Sequence, residues 1–135
     1  CIAFRNLHPV LRNHQYFQHK DYLNVGYPDI SWYSITAQEP NWTDEKCYTL
    51  AFMLCGKYIK ADVQPDDFIY VAMNVHWESH GFKLPKLPLG MNWHIFVNTA
   101  MLSPEDIWEP GSEPMLQEQS WIMLGERSVV VLVGR

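Results

Sequence analysis

Apolar side chains follow two different periods along this chain. Over residues 1–13, Phe4, Leu7 and Leu11 recur at i, i+3 and i+7, the spacing of one helix face. Pro9 disfavours helical backbone at His8 and should fray the helix there. A polar, aromatic stretch then runs to the turn signals Gly26 and Pro28. Tyr16, Phe17, Tyr22 and Tyr27 would be odd in a free tether, so this stretch is expected to be a linker packed onto something.

From Asp29 onward the period becomes two. Residues 30–35 read as a short strand of mixed polarity, and residues 48–54 as a stronger one with Tyr48, Leu50, Phe52 and Leu54 on one face. Residues 62–67 (Asp62 to Asp67) are a turn region, and residues 68–75 are nearly all apolar, as in a central strand covered on both faces. A hairpin-like connection, His76 to Gly81, leads into Phe82-Lys83-Leu84, which stops at Pro85. Trp93, Ile95 and Val97 face one way on a further strand. Ser103-Pro104-Glu105-Asp106 has a cap residue, Pro at the first helical position and two acids, which predicts one helical turn. Residues 119–124 and 127–133 form a final pair around Gly125-Glu126. The whole predicts an all-β antiparallel β-sandwich with a short N-terminal helix, divided into residues 1–27 and 28–135.

Composition narrows the class. The 135 residues, 47% hydrophobic and 19% charged, suffice for one domain with a real core. Ten scattered Lys and Arg with a net charge of −5 offer no clustered basic face, so nucleic acid is set aside as a partner. No apolar run is long enough to span a membrane. The chain opens at Cys1, inside the predicted helix, and is expected to be a piece of a longer protein. Eight residues of strand would hold Cys47 and Cys55 roughly 26 Å apart, too far for a disulfide; free thiols suit a reducing cytoplasm.

Three stretches, taken in order and spacing, carry a further signal. The first is Arg5-Asn6-Leu7-His8-Pro9-Val10-Leu11-Arg12. The second is Pro28-Asp29-Ile30-Ser31-Trp32-Tyr33, followed by Asn41-Trp42 and Leu50-Ala51-Phe52. The third is Ala72-Met73-Asn74-Val75-His76-Trp77-Glu78, then Phe82-Lys83-Leu84-Pro85, Trp93 and Thr99, closing on Arg127 to Leu132. Together they resemble the C-terminal end of bacterial debranching enzymes in the isoamylase and glycogen-debranching branch of the α-amylase family. The resemblance implies an amylase-type C-terminal domain, with residues 1–27 as the end of the last barrel helix and a linker. It implies a partner, the protein's own catalytic barrel, and a parent α-1,6-glucosidase acting on glycogen or limit dextrin. The family's catalytic acids lie on barrel strands that this sequence lacks, so none is carried over and no cofactor is implied.

The remaining candidates are weighed on their own chemistry. Asp44-Glu45, Asp66-Asp67 and Glu105-Asp106 fall in turns, where sequence neighbours do not face each other as a glycosidase pair must. His76-Trp77-Glu78-Ser79-His80 lacks the helical spacing of zinc proteases and reads as a polar hairpin, with a small metal-dependent enzyme as the outlying alternative. Cys47 and Cys55 read as inert core thiols. Trp32 and Trp93 are expected to fill the core, whereas Trp42, Trp77 and Trp108 lie in loops and are the candidates for stacking on an α-glucan. Arg12, Asn13 and His14 read as domain-junction residues. The leading expectation is a stabilising, non-catalytic domain; the alternative is a carbohydrate-binding module.

Overall fold

The structure, a computed structural model, describes residues 1–13, 15–59 and 64–135. Among these lie a short helix, α1 (Ile2–Leu7), and a 3-10 turn (Pro9–Arg12). Seven strands follow: β1 (Ile30–Tyr33), β2 (Thr49–Leu54), β3 (Phe68–Asn74), β4 (His80–Lys83), β5 (Trp93–Asn98), β6 (Trp121–Leu124) and β7 (Ser128–Gly134). A five-stranded sheet in the order β1-β2-β3-β7-β5 faces a two-stranded sheet of β4 and β6, every pairing antiparallel. The fold is the all-β, sandwich-like assembly that the period of two predicts.

The centre of the large sheet falls where the sequence is most continuously apolar. Phe68, Tyr70 and Ala72 of β3 and Val130 and Leu132 of β7 turn inward, meeting Phe82, Leu84 and Leu124 of the second layer. Trp93 closes this core, 1% exposed, with its indole N–H donating to the Pro85 carbonyl at 3.1 Å. The alternate residues of the same strands build a second, outer face.

That outer face is ordered in rows by the strand register. Ile30, Leu54, Ile69 and Val133 form the first row and are buried beneath Phe4 and Val10. Trp32, Phe52, Val71, Val131 and Val97 form the second, and Leu50, Met73 and Val129 the third. All eight of these are half-buried. None carries a charge.

Several local expectations need correction. The N-terminal face is not Phe4-Leu7-Leu11: α1 stops at Leu7, His8 turns extended (φ −104°, ψ 95°), and the chain re-enters as a 3-10 turn. Phe4, His8 and Val10 therefore point inward while Leu7 is 53% exposed. Along β5, Trp93 and Ile95 face the inner core, but a β-bulge between Ile95 and Val97 moves Val97 to the outer face. The His76–Gly81 connection is no hairpin, because β4 leaves the sheet of β3 and pairs with β6. For the same reason β6 and β7 do not pair with each other.

Residues 103–106 form a turn without becoming helical. The Asp106 carbonyl accepts from Asn98 N–H at 2.9 Å, and bridges Val97–Ile107 and His94–Met115 draw the chain along β5. This covers part of an edge strand that would otherwise present unpaired amides.

The stretch before β1 is partly packed. Phe17 and Tyr27 lie against the two cores, whereas Tyr16 is 98% exposed. The Tyr58 hydroxyl reaches the Asp21 carboxylate (2.6 Å) and the Tyr27 carbonyl (2.7 Å), pinning the stretch to the domain. Asp62, Val63 and His14 lie outside the described residues. Arg12 donates to the Asn6 carbonyl and Asn13 to the Tyr58 carbonyl.

Candidate functional site

Antiparallel register brings the start of β2, the end of β3 and the start of β7 to one end of the large sheet. The loops 34–48 and 75–79 leave from this end and frame an open hollow, with Pro40, Asn41, Trp42, Tyr48, Met73 and Val75 among its walls. Trp42 is 61% exposed and meets Trp32 edge-on at 5.7 Å. Trp77 is 65% exposed, with its ring 4.2 Å from His76 and 6.2 Å from Tyr48. Tyr48 itself stacks on His76 at 5.1 Å and 19°. Trp42, Tyr48 and Trp77 thus gather around one end of the sheet.

Trp108 does not join them. Its backbone N–H donates to the Phe96 carbonyl beside β5, the edge of the sheet opposite β1.

The turn between β3 and β4 is braced from below. Asn74, fully buried, donates from Nδ2 to the carbonyls of Glu78 and Gly125, both at 2.8 Å, while its Oδ1 accepts from His76 N–H at 3.0 Å. Arg127 N–H donates to the His76 carbonyl, and Ser128 Oγ to the Gly125 carbonyl. Held in this way, His80 Nε2 lies 3.0 Å from His76 Nδ1, and Glu78 Oε2 lies 3.8 Å from that same nitrogen. One donor atom from each of the three lies within 4.8 Å of the others. The alternation of His76, Glu78 and His80 is visible in the sequence; that the turn folds them onto one point is not.

A second cluster joins residues far apart in sequence. His8 Nδ1 donates to Asp66 Oδ1 at 2.7 Å, Val10 N–H donates to Asp66 Oδ2 at 2.9 Å, and Asp67 N–H also reaches Asp66 Oδ1. Asp67 completes the group, its carboxylate 4.0 Å from His8. Burial raises the Asp67 pKa above the usual carboxylate value, and the neighbouring His8 opposes that shift. With both Asp66 oxygens accepting bonds, the cluster is a fastening between the N-terminal segment and the sandwich. The separation of 58 residues gave sequence reasoning no signal for it.

The other paired acids serve their own turns: Asp44 accepts from Lys46 N–H at 2.9 Å, and Glu105 is exposed. The three cysteines are free. Cys55 is buried as expected and its thiol is pushed up by desolvation, but Cys47 is exposed in the turn before β2.

The assembly is two-layered and antiparallel, with its exposed aromatic and imidazole groups at strand ends and in the loops between them. The family model described as Isoamylase, C-terminal matches residues 29–133, and the chain belongs to that family. No curated protein matches the sequence. Among the described residues no helix is long and apolar enough to cross a membrane.

Proposed function

We propose that residues 28–135 are the non-catalytic C-terminal domain of a cytoplasmic glycogen-debranching α-1,6-glucosidase and stabilise its catalytic barrel. Residues 1–27 are then the end of the last barrel helix and the linker that follows it. The parent enzyme would cleave branch linkages of glycogen or limit dextrin with two carboxyls supplied by the barrel. Free thiols at Cys47 and Cys55 agree with a reducing compartment.

The observation that carries the reading is the outer face of the large sheet. Its first row is sealed by α1 and the 3-10 turn, while the uncharged second and third rows stay half-covered beside it. A face of this kind suits a neighbouring domain, for which interfaces of about 600–1,500 Å² are common. The test is the double variant Phe52→Lys, Val131→Lys in the full-length enzyme. It is expected to lower the thermal midpoint of the barrel and its debranching rate together. An unchanged barrel midpoint would overturn the assignment of this face.

A second reading has its own support: Trp42, Tyr48 and Trp77 offer aromatic faces beside the polar Asn41 and Asp44, a mixture that suits pyranose rings. Titration of the chain with maltoheptaose checks it. Binding lost in Trp77→Ala and kept in Trp108→Ala, on the opposite edge, would favour a glucan-holding module.

A further inference from the structure

We infer that the turn between β3 and β4 is a binding site for a borderline divalent transition metal ion, Zn²⁺ or a cation of similar preference, held by His76, Glu78 and His80. The site owes nothing to either reading of the outer face or of the tryptophans.

Convergence is the first reason. Three donor atoms, two from the turn after β3 and one from the first residue of β4, approach within 4.8 Å of one another, and the two imidazoles share a hydrogen bond, nitrogen to nitrogen, at 3.0 Å. Zinc–nitrogen bonds of about 2.0–2.1 Å in tetrahedral geometry set ligand nitrogens roughly 3.3 Å apart. A cation therefore replaces the hydrogen bond between the two rings: the proton moves to the donor ring's other nitrogen, the imidazoles part by a few tenths of an ångström, and the Glu78 carboxylate swings in from solvent. Glu78 is exposed, so this movement disturbs no packing.

Bracing is the second reason. Good metal sites fix their ligands through outer hydrogen bonds and packing. Here the buried Asn74 side chain bonds the backbone at both His76 and Glu78, Arg127 N–H bonds the His76 carbonyl, and Tyr48 stacks on the His76 ring. The loop is held in shape before any ion arrives.

The donor set selects the metal. Two imidazole nitrogens and one carboxylate suit Zn²⁺, Cu²⁺ or Ni²⁺, whereas Ca²⁺ and Mg²⁺ require mostly oxygen. Three protein ligands leave a fourth position facing solvent, to be filled by water. The His8 cluster contrasts with this, because its Asp66 oxygens are already engaged by Val10, His8 and Asp67.

The test titrates ZnCl₂ into the metal-stripped 135-residue chain by calorimetry, with Co²⁺ absorption as a second readout. One ion per chain is expected, together with the visible bands of a four-coordinate Co²⁺ centre. His80→Ala should weaken Zn²⁺ binding by at least ~10–100-fold, the range that even outer-ligand changes reach. Glu78→Gln should weaken it as well, and its exposed position keeps folding intact, as circular dichroism would verify. A double Cys1→Ser, Cys47→Ser variant should bind as tightly as the parent. Absence of saturable binding, binding unchanged in His80→Ala, or binding lost with the two thiols would each overturn the site.

Discussion

Asp66 shows how one buried carboxylate can fasten two parts of a chain. Both its oxygens accept hydrogen bonds, from His8, Val10 and Asp67, in a place almost closed to water. Removing one member of such a buried arrangement leaves the others unpaired, so Asp66→Ala should destabilise the chain by about 3 kcal/mol, measured by urea unfolding. Its neighbour should behave in the opposite sense. Burial raises the Asp67 pKa in the folded chain above the ordinary carboxylate value, so the ionised form opposes folding. A group shifted upward contributes stability below its unfolded pKa and loses it as pH rises through the folded value. Asp67→Asn is therefore expected to stabilise the chain at pH 7 and to have little effect below about pH 4. Unfolding midpoints at the two pH values check the sign.

At the level of elements, what decides the strand layout is close approach of backbone, and this is where sequence patterns fall silent. A Cβ at position 56 would collide with the backbone carbonyls of Asp66 and Asp67. Gly56→Ala should therefore cost about 3 kcal/mol or more, since a rigid backbone, not a movable side chain, must yield. A thermal melt with an unchanged midpoint would contradict this packing. The strands themselves were legible. Alternation marked β2, and the long apolar run marked β3 as a central strand, although Val71 and Met73 on its outer face are only half-buried. Partnership was not, because residues 76–81 and 125–126 read as hairpins joining β4 to β3 and β6 to β7, whereas β4 and β6 pair with each other in a second layer. Nor could alternation reveal the bulge that turns Val97 to the outer face beside Phe96, which stacks on Phe4 at 3.7 Å. The candidate site divides in the same way. Trp42 and Trp77 were visible as loop aromatics and do gather around Tyr48, but the convergence of His76 and His80 depends on Asn74, whose amide works through tertiary contacts.

Across the whole molecule, the N-terminal segment behaves as part of the sandwich and not as an appendage. Phe4 and Val10 are 4% and 1% exposed, and they seal Ile30, Leu54, Ile69 and Val133. Burying two such side chains contributes about 1.5–3 kcal/mol each, and the Asp66 bonds add to that. Deleting residues 1–12 should thus remove about 5 kcal/mol, comparable to the entire stability of many small domains. It would also join the first row of the outer face to the two rows beside it, making one continuous uncharged surface. Surfaces of that extent drive association. The truncated chain is expected to sediment as dimers or larger species at concentrations where the 135-residue chain stays monomeric, with a denaturant midpoint well below the parent's. Introducing Val131→Lys into the truncated chain should restore the monomer, because a charge within the second row opposes its burial. Monomeric sedimentation of the deletion with an unchanged midpoint would mean that Phe4 and Val10 only rest on the sheet. The N-terminal segment, proposed above as the end of a barrel helix, would then lack the rigid coupling on which the proposed stabilising role depends.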